Sequence, residues 1–414
     1  MPFRTALSGL NAASADLRVT GNNIANTGTT GFKESRAEFA DVFSQSFGGI
    51  SQTAIGTGVR LAAVTQQFNQ GNIEFTGNNL DLAMNGQGFF VLSDSGTQVY
   101  SRAGAFQANR DGFVVNTQGQ RLQVYTPQNT AGTLFNTGAL ADLQLSTSEA
   151  PPSATTAVQA LVNLRADMEP IDRFDAVTNP TGIAFDIDDP NSFNYSTSLT
   201  VYDSLGQART ATMYFSNLDS LEWEARVAID GTEVGTPVTL EYNDDGTLLN
   251  PATPSAFGPF TPPNGAADMN IEFDFTRITQ YGNNFNVTGL SQNGFTTGRL
   301  NSIDIDPSGV VFARFTNGQS QALGKVALAN FANPQGLQQL GDNAWGEAFG
   351  AGDVILGEAD TGNFGLIQSG GLEASNVDIA QQLVKLITAQ RNFQANAQVI
   401  TTADAVTQTI INIR

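Results

Sequence analysis

Three stretches of this 414-residue chain carry residue types that could do chemistry. GNNIANTGTTGFK (21–33) sets Gly21, Gly28 and Gly31 among asparagines and threonines, as a loop cradling a phosphate would. It lacks the GxxxxGK[ST] spacing, and no apolar strand precedes it, so it reads instead as a helix stop and hinge. DIDPSG (304–309) imitates the start of a calcium loop, yet its twelfth position is Phe315 where a chelating Glu is needed, and a hairpin turn is expected. Asp186, Asp188, Asp189, Glu222 and Glu224 include enough carboxylates for a glycosidase pair, although nothing in their spacing sets two of them across one cleft. Solvated surface charge is the simpler reading. The chain has no His and no Cys, which removes the commonest general base, thiol nucleophiles, disulfides and thiolate metal sites. No metal, cofactor or catalytic residue is expected.

The elements that would position any site follow from pattern. Phe3, Leu10, Leu17 and Ile24 fall seven apart, with Leu7 on the same side and Ala6 and Ala13 between, which is an a/d seam on an amphipathic helix. The seam predicts a helix through GNNIAN with Gly28 just beyond it as its C-cap. No Gly or Pro follows Gly371, and Ile379, Leu383, Leu386, Ile387, Phe393, Ala397 and Ile400 give a second stripe. That stripe drifts to Val399, Ala403, Val406, Ile410 and Ile413, as a period nearer 3.6 than 3.5 requires. One long C-terminal helix is expected, with a polar face of Gln, Asn and Thr suited to close packing among copies. Phe39, Val42, Phe43 and Phe47 in RAEFADVFSQSF form a further helical stripe, expected to dock a connector on a neighbouring domain.

Between the ends, short apolar or alternating runs such as GFFVLSD, LTVYDSLGQARTATMYF and LNSIDIDPSGVVFARF are punctuated by Gly, Asn and Asp. DSLG, NDDG and DPSG are hairpin signals. TSEAPPSATT (147–156) and NPATPSAFGPFTPPNGA (250–266) read as junctions or long loops. The expected division is an inner helical domain of 1–32 and 376–414, a connector of 33–75, an inner β domain of 76–146 and 285–372, and an outer β domain of 147–284 inserted in it. The fold class is therefore multidomain: coiled-coil-like helical termini around two largely antiparallel β domains.

Composition agrees: Gly (42) and Phe (28) are abundant, while charged residues make up 14%. The net charge of −20 argues against nucleic acid or an anionic membrane as partner. It sits in the interior of the chain, because residues 1–33 carry a net +2 and residues 377–414 a net +1. Near-neutral ends read as surfaces meant to be packed. The N-terminus lacks the unbroken apolar run of a secretory signal, and no apolar stretch is long enough to span a membrane, so if the protein leaves the cell, a route that needs no cleaved signal is expected. Neither terminal helix can bury its apolar face alone, so each must pair with the other, with other copies, or both.

SGLNAASADLRVTGNNIANTGTTGFK followed by FADVF, together with GLEASNVDIAQQLVKLITAQRNFQANAQVI, resembles the paired terminal motifs of bacterial flagellar rod and hook proteins. NNLDLAMNGQGFFVL with YSRAGAF, VYDSLGQA, and LGKVALANFANPQGLQQLGDNAWGE are similar to their β-domain motifs. The resemblance implies a hook subunit whose terminal helices form the inner layer of a tube, with Gly28 and Gly31 at the exit and the β domains as outer layers. It implies an open homopolymer that bends while transmitting torque. Its implied partners are the rod protein, the hook cap, the hook-filament junction proteins and the type III export apparatus, at an extracellular flagellar site. Two alternatives stay open. A distal rod protein shares both termini but is generally shorter, and a secreted carbohydrate-active enzyme or adhesin would explain the acidic middle but not the terminal seams.

Overall fold

The run GFFVLSD becomes the strand Phe89–Asp94, and its side chains alternate between two buried clusters. Phe90 and Leu92 join Leu82, Met84, Val124 and Leu328 on one side, while Phe89 and Val91 join Tyr100, Phe331 and Trp345 on the other. A strand with period two that is covered on both faces is apolar at every position, which is why this run shows no alternation in the sequence. The computed structural model describes residues 2–42, 56–129, 131–145, 149–173 and 182–412. It divides into two units. One comprises residues 1–147, 301–314 and 320–414, and the other residues 148–300 and 315–319.

The first unit holds both helices, α1 (Pro2–Ala25) and α2 (Ile379–Asn412), and an antiparallel hairpin of β1 (Ser35–Asp41) and β2 (Val59–Gln66). It also holds most of a twelve-stranded sheet. On the Phe89 side of that sheet, Phe68 stands edge-on to Phe89 and Trp345 with ring centroids 5.4 and 5.5 Å away, a geometry that suits the ring quadrupoles. Gly104 sits so close to the Leu82 carbonyl that a Cβ would lie 1.7 Å from its oxygen, so the glycine of YSRAGAF is obligatory.

The connector differs from expectation. Ser35–Asp41 is a strand, with Phe39 opposite Leu61 and 41% exposed, because pairing with Val59–Gln66 satisfies a backbone that an isolated helical turn would leave open. The helical stripe is therefore overturned at Phe39, and Phe43 and Phe47 lie outside the described residues.

The second unit is a two-sheet sandwich over one core. The meander Tyr195–Tyr202, Ala208–Asp219, Glu222–Ile229, Thr232–Tyr242 and Leu248–Asn250 supplies Met213, Phe215, Trp223 and Val227. The facing sheet, centred on Ala157–Arg165, supplies Val158, Ala160, Val162 and Leu164 from alternate positions of that strand. That second sheet is mixed, since Ala157–Arg165 runs parallel to Met269–Asp274. The strand Asn286–Gln292 pairs with Ala157–Arg165, and Val287 and Leu290 pack on this core. The return placed at residue 285 from the sequence therefore falls near residue 300, because the segment's hydrogen bonds and apolar side chains are spent in the sandwich.

DSLG, NDDG and DPSG each close a turn with Gly206, Gly246 and Gly309 at positive φ. In VYDSLGQA, the buried Asp203 carboxylate accepts the Leu205 and Gln207 N–H groups, the Arg209 guanidinium and the Asn264 amide. The motif is a staple for the hairpin.

Candidate functional site at the terminal helix pair

α1 and α2 pack along a seam of small and polar residues. On α1 the buried positions are Ala6, Ala13, Ala15, Thr20 and Asn23, with Leu10, Leu17 and Ile24 half-buried beside them. On α2, Gln382 and Ala389 are fully buried, and Leu386, Phe393, Asn396, Ala397, Ile400 and Ala403 are half-buried. The Asn396 side chain reaches over Gly9, where a Cβ would stand 2.4 Å from Asn396 Oδ1. α1 also rests on β1 and β2, where Ser8 Oγ accepts the Val59 N–H.

The remaining apolar positions of both stripes face outward. Phe3, Leu7, Ile379, Leu383, Ile387, Val406 and Ile410 are exposed, Ile387 at 48% and Ile410 at 65%. The expected seam on α2 is therefore shifted. Gln382 occupies the position facing α1, and Ile379 and Leu383 lie to the side, because the polar knot described below captures the Gln382 amide. A groove beside the start of α1 is lined by Phe3, Ala395, Val399 and Val406. Ile413 lies outside the described residues.

The junction at the base of the helices is polar, and its charged cluster is buried. After Ala25 the chain turns through Asn26, whose N–H donates to the Asn22 and Asn23 carbonyls, and Thr27, whose hydroxyl donates to the Ile24 carbonyl. Gly28 has no positive φ and open space around it, so it is not the left-handed cap expected of it. Gly31 has φ +70°, and a Cβ there would lie 2.5 Å from the Ala103 nitrogen. The second glycine, not the first, is the one the backbone needs, because the turn must pass against the β domain.

Two residues on, Lys33 Nζ lies 2.6 Å from Glu373 Oε1 and 2.8 Å from the Asn69 carbonyl. Glu373 also accepts the Gly71 N–H at 2.8 Å and lies 3.4 Å from Arg102 Nη1. Burial pulls both Lys33 and Arg102 below their usual values, and the Glu373 carboxylate opposes that shift. Beside this cluster, Asn376 accepts the Glu34 N–H at 2.7 Å and donates to the Gln67 carbonyl at 2.8 Å.

The polar knot joins this junction to the helices. Asn23 exchanges two hydrogen bonds with the Ser35 backbone, at 2.7 and 2.9 Å, and donates to Gln382 Oε1 at 3.3 Å. Gln382 and Lys385 both donate to Glu34 Oε1, at 2.8 and 2.7 Å. Burial raises the Asp16 carboxyl, about two turns before Asn23 on α1, with Lys385 opposing. None of Asn23, Glu34, Glu373, Asn376 or Gln382 stood out in the sequence. The available signal was their polarity inside otherwise apolar or glycine-marked motifs.

Of the candidate chemical residues, Asp186, Asp189, Glu224, Asp304 and Asp306 have structural partners. Asp306 Oδ1 accepts the Val310 N–H and the Ser308 hydroxyl, and Asp304 pairs with Arg314. Glu224 pairs with Arg173 and Arg226, and Asp186 and Asp189 accept backbone N–H groups two residues on. Among the described residues no group of three or more potential ligands could hold a metal, and no helix is long and apolar enough to cross a membrane.

Four family profiles match the chain. They are the flagella basal body rod protein at residues 3–33, the flagellar hook protein FlgE/F/G D1 domain at 83–155, the flagellar basal body protein FlaE D2 domain at 163–295, and the flagellar basal body rod FlgEFG protein C-terminal at 368–413. The chain is 38% identical to the flagellar hook protein FlgE of Escherichia coli strain K12 over 421 aligned residues, covering all of both chains. It is 37% identical to that of Salmonella typhimurium, again over all of both, and 30% identical to that of Treponema pallidum over 99% of this chain and 98% of the other. The crystal structure of Helicobacter pylori flagellar hook protein FlgE2 shares the fold with a TM-score of 0.54 at 16% identity, covering 73% of this chain and 100% of that one.

Proposed function

The chain belongs to the flagellar hook protein FlgE family, the structural subunits of the bacterial hook, and on that premise we propose that it polymerises through its terminal helices into a curved, flexible tube. One observation carries the reading. The helix pair is anchored by buried polar contacts at its base yet leaves Leu383, Ile387, Val406 and Ile410 in water. A face of that kind needs other copies to cover it, and a heterologous contact that does not close gives an open helical polymer. The inner layer is residues 1–32 and 376–414, with Phe3, Leu7, Leu10, Leu17, Ile24, Leu386, Phe393 and Ile400 also at packed positions. Residues 33–75 are the connector, and the β units lie outside this inner layer.

Bending requires each line of subunits to shorten and lengthen as the tube turns. Tight apolar packing at small radius holds the tube, while polar contacts at larger radius slide. The tube joins the rod protein to the filament through the hook-filament junction proteins, grows beneath the hook cap, and is fed by the type III export apparatus. Its role is mechanical, as a universal joint, and includes no catalysis. Electron microscopy of the purified protein under assembling conditions tests this: curved tubes of uniform diameter are expected, and a protein that stays monomeric under every such condition contradicts it.

A further inference from the structure

Asn23 and Gly9 lie fourteen residues apart on α1, and Gln382 and Asn396, the residues they meet on α2, also lie fourteen apart. Both contacts report one antiparallel register, in which facing residue numbers sum to 405. The apolar part of the seam does not encode that register. Ala6, Ala13 and Thr20 repeat every seven residues and are small, and Leu386, Phe393 and Ile400 also repeat every seven. A slip of one heptad, about 10 Å along the axis, sets small side chains against large ones again and loses little apolar contact.

The polar positions break this degeneracy. In the observed register Gln382, fully buried, accepts from Asn23 and donates to Glu34. Slipped one way it faces Asp16, and slipped the other way it lies past the end of α1, losing the Asn23 contact in both cases. At the other layer the missing side chain of Gly9 makes the gap that Asn396 fills. A slip moves Asn396 against Asp16 or to the first residue of α1, and leaves the gap facing Ala389 or Ala403, neither of which fills it.

We propose that the Asn23–Gln382 and Gly9–Asn396 layers are specificity determinants that fix the axial register of the helix pair. Every copy then presents Leu383 and Ile387 at the same height to its neighbour. That consequence rests on the helix pair being the polymer's inner layer, whereas the register itself is a property of one chain.

Because the chain has no cysteine, paired substitutions read the register without background. Ala6→Cys with Ile400→Cys reports the observed register, and Ala13→Cys with Ile400→Cys reports a one-heptad slip. The full-length protein, dissociated and polymerised, is oxidised and its intramolecular disulfide yields compared. In the parent background the first pair is expected to exceed the second at least about tenfold, the ratio that one unsatisfied buried polar group imposes. Adding Gln382→Leu and Asn396→Leu is expected to reduce that ratio about tenfold, and an unchanged ratio overturns the proposal. If the double leucine variant does not pair its helices, Asn396→Ala is the milder test: a smaller shift in the same direction supports the proposal, and no shift overturns it. A parent that cross-links neither pair also overturns it. A parent that cross-links the first pair but never polymerises leaves the register standing and refutes the hook reading alone.

Discussion

Lys33 Nζ lies 2.6 Å from Glu373 Oε1 across 340 residues of chain, and neither side chain reaches solvent. With Arg102 at 3.4 Å, the carboxylate faces two buried cations. Removing it leaves both uncompensated in a dry site, at a cost of about 3–5 kcal/mol. Glu373→Gln is therefore expected to lower the unfolding midpoint of the first unit and leave that of the second unchanged. Lys33→Met keeps the Arg102–Glu373 pair and is expected to have a smaller effect. Denaturant unfolding followed separately in the two units checks this, and a Glu373→Gln loss no larger than that of Lys33→Met contradicts it.

Gly31 and Gly28 sit three residues apart in one motif and should respond oppositely to alanine. At Gly31 the positive φ and the Ala103 nitrogen both oppose a Cβ, so Gly31→Ala is expected to destabilise by more than about 1 kcal/mol. At Gly28 neither obstacle exists, and Gly28→Ala is expected to be neutral or to stabilise by about 0.4–1 kcal/mol through the unfolded chain. Equal losses at the two positions in a thermal unfolding assay would show that the junction has no such asymmetry.

The second unit should be acid-sensitive through Asp203. Burial raises its carboxyl, but hydrogen bonds from the Gln207 N–H, Asn264 and Arg209 outweigh this and hold it below the ordinary value of 3.8. A depressed carboxyl contributes stability that is present above the unfolded value and lost as pH falls through the folded one. Stability of this unit is expected to decline as pH drops below about 3.8, and Asp203→Asn should flatten that dependence while lowering stability at neutral pH. Identical pH profiles for parent and variant would remove Asp203 from this role.

Ile387 is 48% exposed in the subunit, so Ile387→Glu should change its thermal unfolding by no more than about 0.5 kcal/mol. In a tube it would bury a carboxylate among apolar side chains at every copy, and polymerisation is expected to fail, whereas Ile387→Leu should assemble. Sedimentation after inducing assembly distinguishes the two. A Glu variant that pellets like the parent removes residue 387 from the packed seam.

The two helices were legible because their apolar positions repeat every three or four residues over many turns. The hairpins were legible because DSLG, NDDG and DPSG carry their own turn chemistry. Phe39 misled because a phenylalanine spacing of four fits a helix, while the strand partner that decides the matter, Val59–Gln66, lies some twenty residues further on. Gly28 and Gly31 were equivalent in sequence, and only the approach of the chain to Ala103 separates them. The polar knot was invisible for a similar reason. Periodicity marks apolar faces, whereas Asn23, Glu34 and Gln382 matter through contacts reaching across 348 residues.

When copies assemble, the exposed stripe of α2 is expected to become buried. The reaction rate of the Ile387→Cys variant with a small maleimide reads this directly, since the parent chain has no cysteine to compete. The variant should react readily as a dissociated subunit and at least about tenfold more slowly once polymerised, as thiol access is lost. Equal rates in subunit and polymer would mean that residue 387 stays in water within the tube and that the stripe is not the packed seam.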